Sequence, residues 1–422
     1  MKRYEHYSLV SNLLTNEIPS HWEMKRNRVF LRPKFVSVGQ DASKYSLLSL
    51  TTNGIILRDV ESGKGKFPKD FDTYQVVEPN DIVFCLFDVD ETPRTVGLSS
   101  LNGMLTGAYD AFFVADTVNP RFINYYYTAV DDIKALRPYY TGLRKVVKKD
   151  KFMAISIPIP PIEEQEKIVA YLDKKITLIE SCKCQREREL QTLNELKQAE
   201  IASVVTRGLN PNVPMKDSGI PWIGQIPAHW TMMRIKNLLE ESKVKSIDGH
   251  EQSLSLSKSA GVIPYEEKEN RTMQSASLVG AKVVQCGDVV FNRFKARLFA
   301  ISNYDGVVSP DYAVYKGKGR ANLNYLVSLF GTEMYRAAFD RKASGIGDGF
   351  SRLYTADLFS MYAIFPPIEE QNEIVKYIAL KTNQIDSMIE ALNAEIDRLT
   401  EYKQRLISDV VTGQINVQNE QV

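Results

Sequence analysis

Arg293, Lys295 and Arg297 follow the apolar run Val289 to Phe291, with Phe294 and Phe299 interleaved. If the strand implied by that run continues, alternation puts the three cations on one face. Arginine can take guanine through two parallel hydrogen bonds and lysine can hold phosphate, so the chemistry on offer is nucleic-acid recognition rather than bond breaking. Lys258 stands upstream in a polar, glycine-containing loop, within LSLSKSAGV (Leu254 to Val262). The first half of the chain has a matching stretch, LLSLTTNGI (Leu47 to Ile55), whose loop offers Thr51, Thr52 and Asn53. Lys64 and Lys66 lie beyond it, and Phe87, Asp88 and Arg94 stand where the second half carries its cations. Loops on a rigid scaffold carry recognition, which makes these polar and basic residues the candidate DNA-contacting set. A solvated charged face would present the same residue types.

No catalytic signature accompanies them. The Walker A, G-x-S-x-G and H-E-x-x-H spacings are missing, as is an Asn-Pro-Pro-aromatic pocket for amino-group methylation, so the chain is expected to be no enzyme and to hold no cofactor. Gly345-Ile346-Gly347-Asp348-Gly349 lacks a β-rich run before it and a clean helix after it, and reads as a loop rather than a nucleotide cradle. Cys182 and Cys184 point to different sides of an expected helix with no nearby histidine or second cysteine pair, so no metal is expected. The four cysteines give no disulfide framework. His21 and His229, each before a tryptophan, read as structural caps rather than catalytic groups.

The elements that must position these residues come in two copies. Pro160 to Asn210 and Pro366 to Asn416 align without a gap at an offset of 206, with 22 of 51 positions identical. IPSHW at Ile18 to Trp22 recurs as IPAHW at Ile226 to Trp230, and QVVEPNDIVF (Gln75 to Phe84) as KVVQCGDVVF (Lys282 to Phe291). The 422 residues, 44% apolar and 25% charged, suit a soluble protein of two or three domains. The repeat is far too long for a solenoid, whose units run about 20–50 residues. Neither a signal-peptide core nor a membrane-length apolar run is present, so a cytoplasmic location without membrane contact is expected.

Each repeated segment reads as a helix of roughly 44 residues, opened by Pro-Pro with acids in its first turn and closed near Gly208 or Gly413. In the second copy Val375, Ile378, Thr382, Ile385, Ile389, Leu392, Ile396, Leu399, Lys403, Leu406 and Val410 alternate steps of three and four, the a/d pattern of a coiled coil. The matched first-copy positions run from Val169 to Val204, interrupted by Lys183, Arg186, Lys197 and Glu200. Such interruptions weaken a long homodimer seam, whereas two helices tethered in one chain tolerate them. The expected closure is the two copies packed antiparallel about an approximate twofold axis; a coil formed with another chain is the alternative. Ile162 to Val205 carries 7 basic and 9 acidic residues (−2), Ile368 to Val411 carries 5 and 9 (−4), and the tail adds −1. Against a net charge of +1, the remainder therefore carries +1 − (−7) = +8, which suits an anionic partner.

The Pro-Pro-Ile-Glu-Glu-Gln helix starts, the two unlike basic domains alternating with like helices, and DSGIPWIGQIPAHW at Asp217 to Trp230 resemble the specificity (S) subunit of type I restriction-modification systems. The resemblance covers nearly the whole chain. It implies an α+β fold with two mixed α/β target-recognition domains at 1–158 and 226–364. Spacer helices follow at 159–208 and 365–413, with a linker at 209–225 and a tail at 414–422; the helices pack as an antiparallel coiled coil with a pseudo-twofold internal repeat. It also implies a bipartite double-stranded DNA target, two methyltransferase (M) subunits that methylate adenine, and restriction (R) subunits held through the complex. A coiled-coil scaffold whose basic domains bind protein or RNA is the competing reading. The first copy lacks the DSGIPWIG portion, so its N-terminal edge is expected to pack differently.

Overall fold

The computed structural model describes residues 2–58, 71, 73–258, 260–268, 277–294, 298–345 and 351–418. Lys64, Lys66, Lys295, Arg297 and residues 346–349 of the glycine-rich stretch lie outside them. The fold is α+β. Two compact units divide the chain, Met1–Glu187 with Asn393–Val422 and Arg188–Leu392, so each unit holds part of both long helices.

The first unit is built on an antiparallel sheet of β1 (Leu31–Lys34), β2 (Ile82–Phe84), β3 (Val96–Leu98) and β4 (Asp110–Val114), in the order β1-β4-β2-β3. Alternation sends Ile82, Phe84 and Phe112 to one face, where they join Phe122, Tyr126 and Tyr127 of the helix Pro120–Asp132 in one core. That helix starts where Asn119 caps the N–H of Arg121 and Pro120 fixes the first turn. Val83 and Ala111 point to the other face and pack with Leu48 and Ile55 of the hairpin Leu48–Thr51/Gly54–Leu57. The hairpin is thus held on buried apolar side chains while its polar tip stays outside.

The second unit repeats this order with its own residues: β5 (Leu239–Glu241), β6 (Val289–Asn292), β7 (Phe299–Ile301) and β8 (Tyr312–Gly317) lie in the order β5-β8-β6-β7. Val289, Phe291, Ala313 and Tyr315 face the helices Leu323–Phe330 and Glu333–Lys342, while Val290 and Val314 meet the hairpin Leu254–Ser257/Gly261–Pro264. The chain turns at Pro79 to Asp81 and, in the matching stretch, at Cys286 to Asp288. Asp81 Oδ2 accepts from Glu78 N at 2.8 Å and Asp288 Oδ2 from Gln285 N at 2.9 Å. The strands on either side of each turn pair in different sheets rather than with each other.

The long helices run Ile162–Arg207 and Ile368–Val411, one of them 46 and the other 44 residues. The second proline of each pair stands one residue before the helix instead of inside it. Its carbonyl takes the first helical N–H, from Gln165 or Gln371 at 3.0 Å. Gly208 and Gly413 end the helices with φ of +80° and +72°, a conformation that other residues reach at a cost. No a/d position from Val169 to Val204 or from Val375 to Val410 is exposed. Four of the polar ones, Arg186, Lys197, Glu200 and Lys403, have partners on the other helix. In the first unit Lys403 meets Glu180 at 2.6 Å and Arg186 meets Glu395 at 3.2 Å; in the second Lys197 meets Asp386 at 2.7 Å and Glu200 accepts from the Tyr377 hydroxyl. Within each unit the residue number rises along one helix as it falls along the other.

The two lead-in segments depart from expectation. Without DSGIPWIG, the first copy still forms an antiparallel pair, Tyr7–Leu9 with Glu17–Pro19, as Met215–Asp217 pairs with Gln225–Pro227 in the second. The stretch 209–225 is more than a linker: Ile223 is buried and Trp222 meets Tyr335 edge-on at 5.0 Å, because its apolar side chains extend the second core.

Candidate nucleic-acid interface

Thr52 and Asn53 are exposed at the tip of their hairpin, where Gly54 supplies the positive φ that the turn needs. Thr51 is spent on the turn: its hydroxyl donates to Gly54 O at 3.0 Å and accepts from Asn53 N at 3.1 Å. Lys258 is exposed at the tip of the matching hairpin. The structure therefore puts Thr52, Asn53 and Lys258 at outward-facing tips, each on its own unit.

Arg94 and Arg293 sit elsewhere than the sequence suggests. Arg94 is 18% exposed and holds Asp131 at 3.1 Å and Asp132 at 2.9 Å, so its fork is occupied inside the first unit. Asp131 also receives Lys134, Thr95 N and the Thr95 hydroxyl. As for Arg293, β6 stops at Asn292, so the alternation expected to carry it outward never begins. Its side chain is 11% exposed, pairs with Glu241, and donates to the Thr355 hydroxyl at 3.2 Å. Both arginines, expected as DNA contacts, lie close to strand ends with their guanidiniums engaged by carboxylates of their own unit. Each found a carboxylate that lies far away in sequence.

Electrostatics in that cluster follow from crowding. Burial pulls the Lys282 ammonium below its ordinary value and the neighbouring Arg293 charge adds to this, while Glu241 at 3.2 Å opposes both. Burial works to raise the Glu241 carboxyl, but the Thr355 hydrogen bond and the Arg293 and Lys282 charges together hold it low. Lys34 in the first unit is raised on balance, with Asp81 and Glu78 outweighing burial.

His21 and His229 are caps. Their Nε2 atoms lie 2.8 Å from Glu164 and from Glu370 respectively, at the helix starts. Gln165 and Gln371 complete the joint: each donates to the carbonyl of Pro160 or Pro366 and accepts from the backbone N–H of Asn119 or Asn322 at 2.8 Å. The repeated Pro-Pro-Ile-Glu-Glu-Gln thus fastens a domain to a helix.

Two features escaped the sequence reading. A hairpin of Tyr140–Thr141 and Val146–Val147 turns through Gly142 to Lys145, with Leu143 wholly exposed. It lies in a run, Arg137 to Lys151, holding six basic residues and one acid, and that density was the missed signal. In the second unit Asn292, Phe294, Tyr312, Tyr265 and Lys268 help line a pocket of about 440 Å³ beside the Leu254–Pro264 hairpin. Among the described residues no group of acids, histidines and cysteines is placed to hold a metal, and no helix is long and apolar enough to cross a membrane.

Comparison with known proteins agrees with this architecture. The family model for the type I restriction modification DNA specificity domain matches residues 111–192. The putative type I restriction enzyme MjaX specificity subunit of Methanocaldococcus jannaschii is 24% identical over 64% of this chain and 62% of its own length. The type I restriction enzyme EcoKI specificity subunit of Escherichia coli is 22% identical over 64% of this chain and 60% of its own. The matches thus span less than two thirds of these relatives. A chain from a structure described as "Structural basis underlying complex assembly and conformational transition of the type I R-M system" shares the fold, with a TM-score of 0.66 at 16% identity over 94% of this chain and 99% of that one. By repeat, fold and relatives together, the chain is similar to the specificity subunits of type I restriction-modification systems.

Proposed function

We propose that the chain is the DNA-reading subunit of a type I restriction-modification complex, without catalytic activity of its own. Residues 1–158 and 226–364 act as two target-recognition domains, each reading one half of a bipartite double-stranded target. The helices at 159–208 and 365–413 form an antiparallel coiled coil with approximate twofold symmetry that spaces the readers. Two M subunits dock on this frame and methylate adenine, and R subunits join through them, in the cytoplasm. The observation that carries the reading is a common frame with unlike tips: the sheet order and the His-Glu-Gln joint repeat, while the hairpin tip carries Thr52 and Asn53 in one unit and Lys258 in the other. Tips that differ on a shared scaffold suit two different half-sites.

The test is exchange of residues 226–364 for the same unit of a relative, in cells carrying the whole system, followed by mapping of modified bases. One half of the modified sequence should change and the other stay. A change in both halves would end the two-reader proposal, and methyl transfer by the purified chain alone would end the claim that it is not an enzyme.

A further inference from the structure

We infer that an arginine laid across the matching phenylalanine of each domain grips the DNA phosphate backbone: Arg144 over Phe87 and Arg352 over Phe294. This rests on the DNA-reading function proposed above and names the contact that serves both halves alike.

The two phenylalanines occupy one place in the fold. Leu86 O accepts from Val147 N at 2.8 Å and Arg293 O from Leu353 N at 3.0 Å, and Phe87 and Phe294 are the residues that follow. The guanidinium carbons of Arg144 and Arg352 sit 5.2 and 5.4 Å from the respective ring centres. The arginines themselves do not match position for position. Since Val147 corresponds to Leu353, Arg352 corresponds to Val146, whereas Arg144 lies two residues earlier in the turn. The same local pairing of strands supplies a guanidinium to the same ring by different routes, as expected if the ring with its arginine is what matters.

A ring under a guanidinium fixes the plane of the fork and leaves its N–H edge pointing sideways, so little freedom remains to be lost on binding. The partner that fits such an edge is a planar or tetrahedral oxyanion, and phosphate presents two oxygens at that spacing. Arg144 is 70% exposed, with one Asp88 oxygen at 2.9 Å. Arg352 also lies over Tyr354, at 5.4 Å, and its Nε is buried with no hydrogen-bond partner. Acids pair with part of the surrounding charge, Asp90, Glu91 and Asp110 with Arg137, Lys145 and Lys149 in one unit and Glu241 with Lys282 and Arg293 in the other, yet two cations share the single Glu241, and Lys148 and Lys151 add to the basic run in the first unit. A base contact would have to differ between domains that read different sequences. A contact repeated in both while the hairpin tips differ is suited to the part of DNA that does not vary.

The experiment measures binding of the full chain, alone and with its methyltransferase partner, to a labelled target duplex and to a random-sequence duplex across a salt series. Arg144→Gln and Arg352→Gln should each weaken both duplexes by a similar factor and reduce the slope of log affinity against log salt by about 0.9, the value for one phosphate contact. Arg144→Lys should restore most of that slope. Unchanged slopes in both glutamine variants, or a loss confined to the target duplex, would overturn the inference while leaving the DNA-reading function standing. No salt-dependent binding by the unaltered chain, even with the methyltransferase, would overturn both. Thermal melts accompany each variant; should Arg352→Gln unfold, the well-exposed Arg144 decides.

Discussion

Replacing Asp131 with alanine should destabilise the first unit without touching DNA recognition, and Arg94→Gln should do the same more mildly. The Asp131 carboxylate is 2% exposed and receives Arg94 at 3.1 Å, Lys134 at 2.8 Å, Thr95 N at 3.1 Å and the Thr95 hydroxyl at 2.6 Å. Its removal strands the buried Thr95 N–H. Arg94 keeps Asp132 at 2.9 Å and Lys134 keeps the Thr92 carbonyl at 2.9 Å. Breaking a buried pair costs about 3–5 kcal/mol, and these retained partners put the loss near the lower end, at about 3 kcal/mol. The unit contains 187 + 30 = 217 residues, so its melting temperature should fall by roughly 6–12 °C. Calorimetry reads the shift, and DNA affinity is measured well below the melt. If Arg94→Gln cost affinity while leaving the melting temperature unchanged, the arginine would be a reader after all and its assignment to the ion-pair network as a purely structural group would be wrong.

Three further outcomes follow from other parts of the molecule. Gly413→Ala should cost more than Gly142→Ala, although both have φ of +72°, because a Cβ at Gly413 would stand 2.4 Å from Pro19 Cδ while one at Gly142 meets nothing within 4 Å. Denaturant midpoints should show about 1 kcal/mol for Gly142 and clearly more for Gly413; equal costs would refute the clash. Glu241, held below its ordinary value of 4.5, stabilises the second unit above that pH and loses the contribution as pH falls through its lowered value. The melting temperature of the unaltered chain should therefore drop more steeply below about pH 4.5 than that of Glu241→Gln, and parallel curves would count against the pairing. Seven residues added to both long helices, after Leu193 and Leu399, keep the a/d register and should widen the unread gap of the DNA target by about 3 base pairs, from about 10.5 Å of helix at 3.4 Å per base pair. Mapped sites that kept their original gap would show that something else measures it.

The long helices could be read from the chain because their signals are local: a period of three and four, Pro-Pro at one end, glycine at the other. Hairpins at Leu47 to Ile55 and Leu254 to Val262 were half visible, as a strand entering a polar loop, since the returning strands Gly54–Leu57 and Gly261–Pro264 carry no marked alternation. Ion-pair partners were invisible for a different reason. Arg94 meets Asp131 across 37 residues and Arg293 meets Glu241 across 52, and one sequence does not say which acid a distant arginine will find. The linker 209–225 misled because proline and glycine mark turns whether or not the turn is pressed against a core, and Trp222 was the residue that should have been weighed. Repetition helped most where it paired residues on the page, as with His21 and His229.

That repeated joint has a consequence for how the chain reaches its fold. His21 closes on Glu164 across 143 residues and His229 on Glu370 across 141, yet the chemistry would equally admit His229 on Glu164, a separation of only 229 − 164 = 65. Loop-closure entropy favours that shorter ring by about 0.7 kcal/mol. During synthesis the hazard is removed by order of appearance, because His21 and Glu164 both leave the ribosome, and can latch, before His229 exists. A chain refolded from denaturant has no such schedule. It should divide between native and crossed latches and recover fully only as crossed molecules reopen, so the direction of translation protects a duplicated protein from its own symmetry.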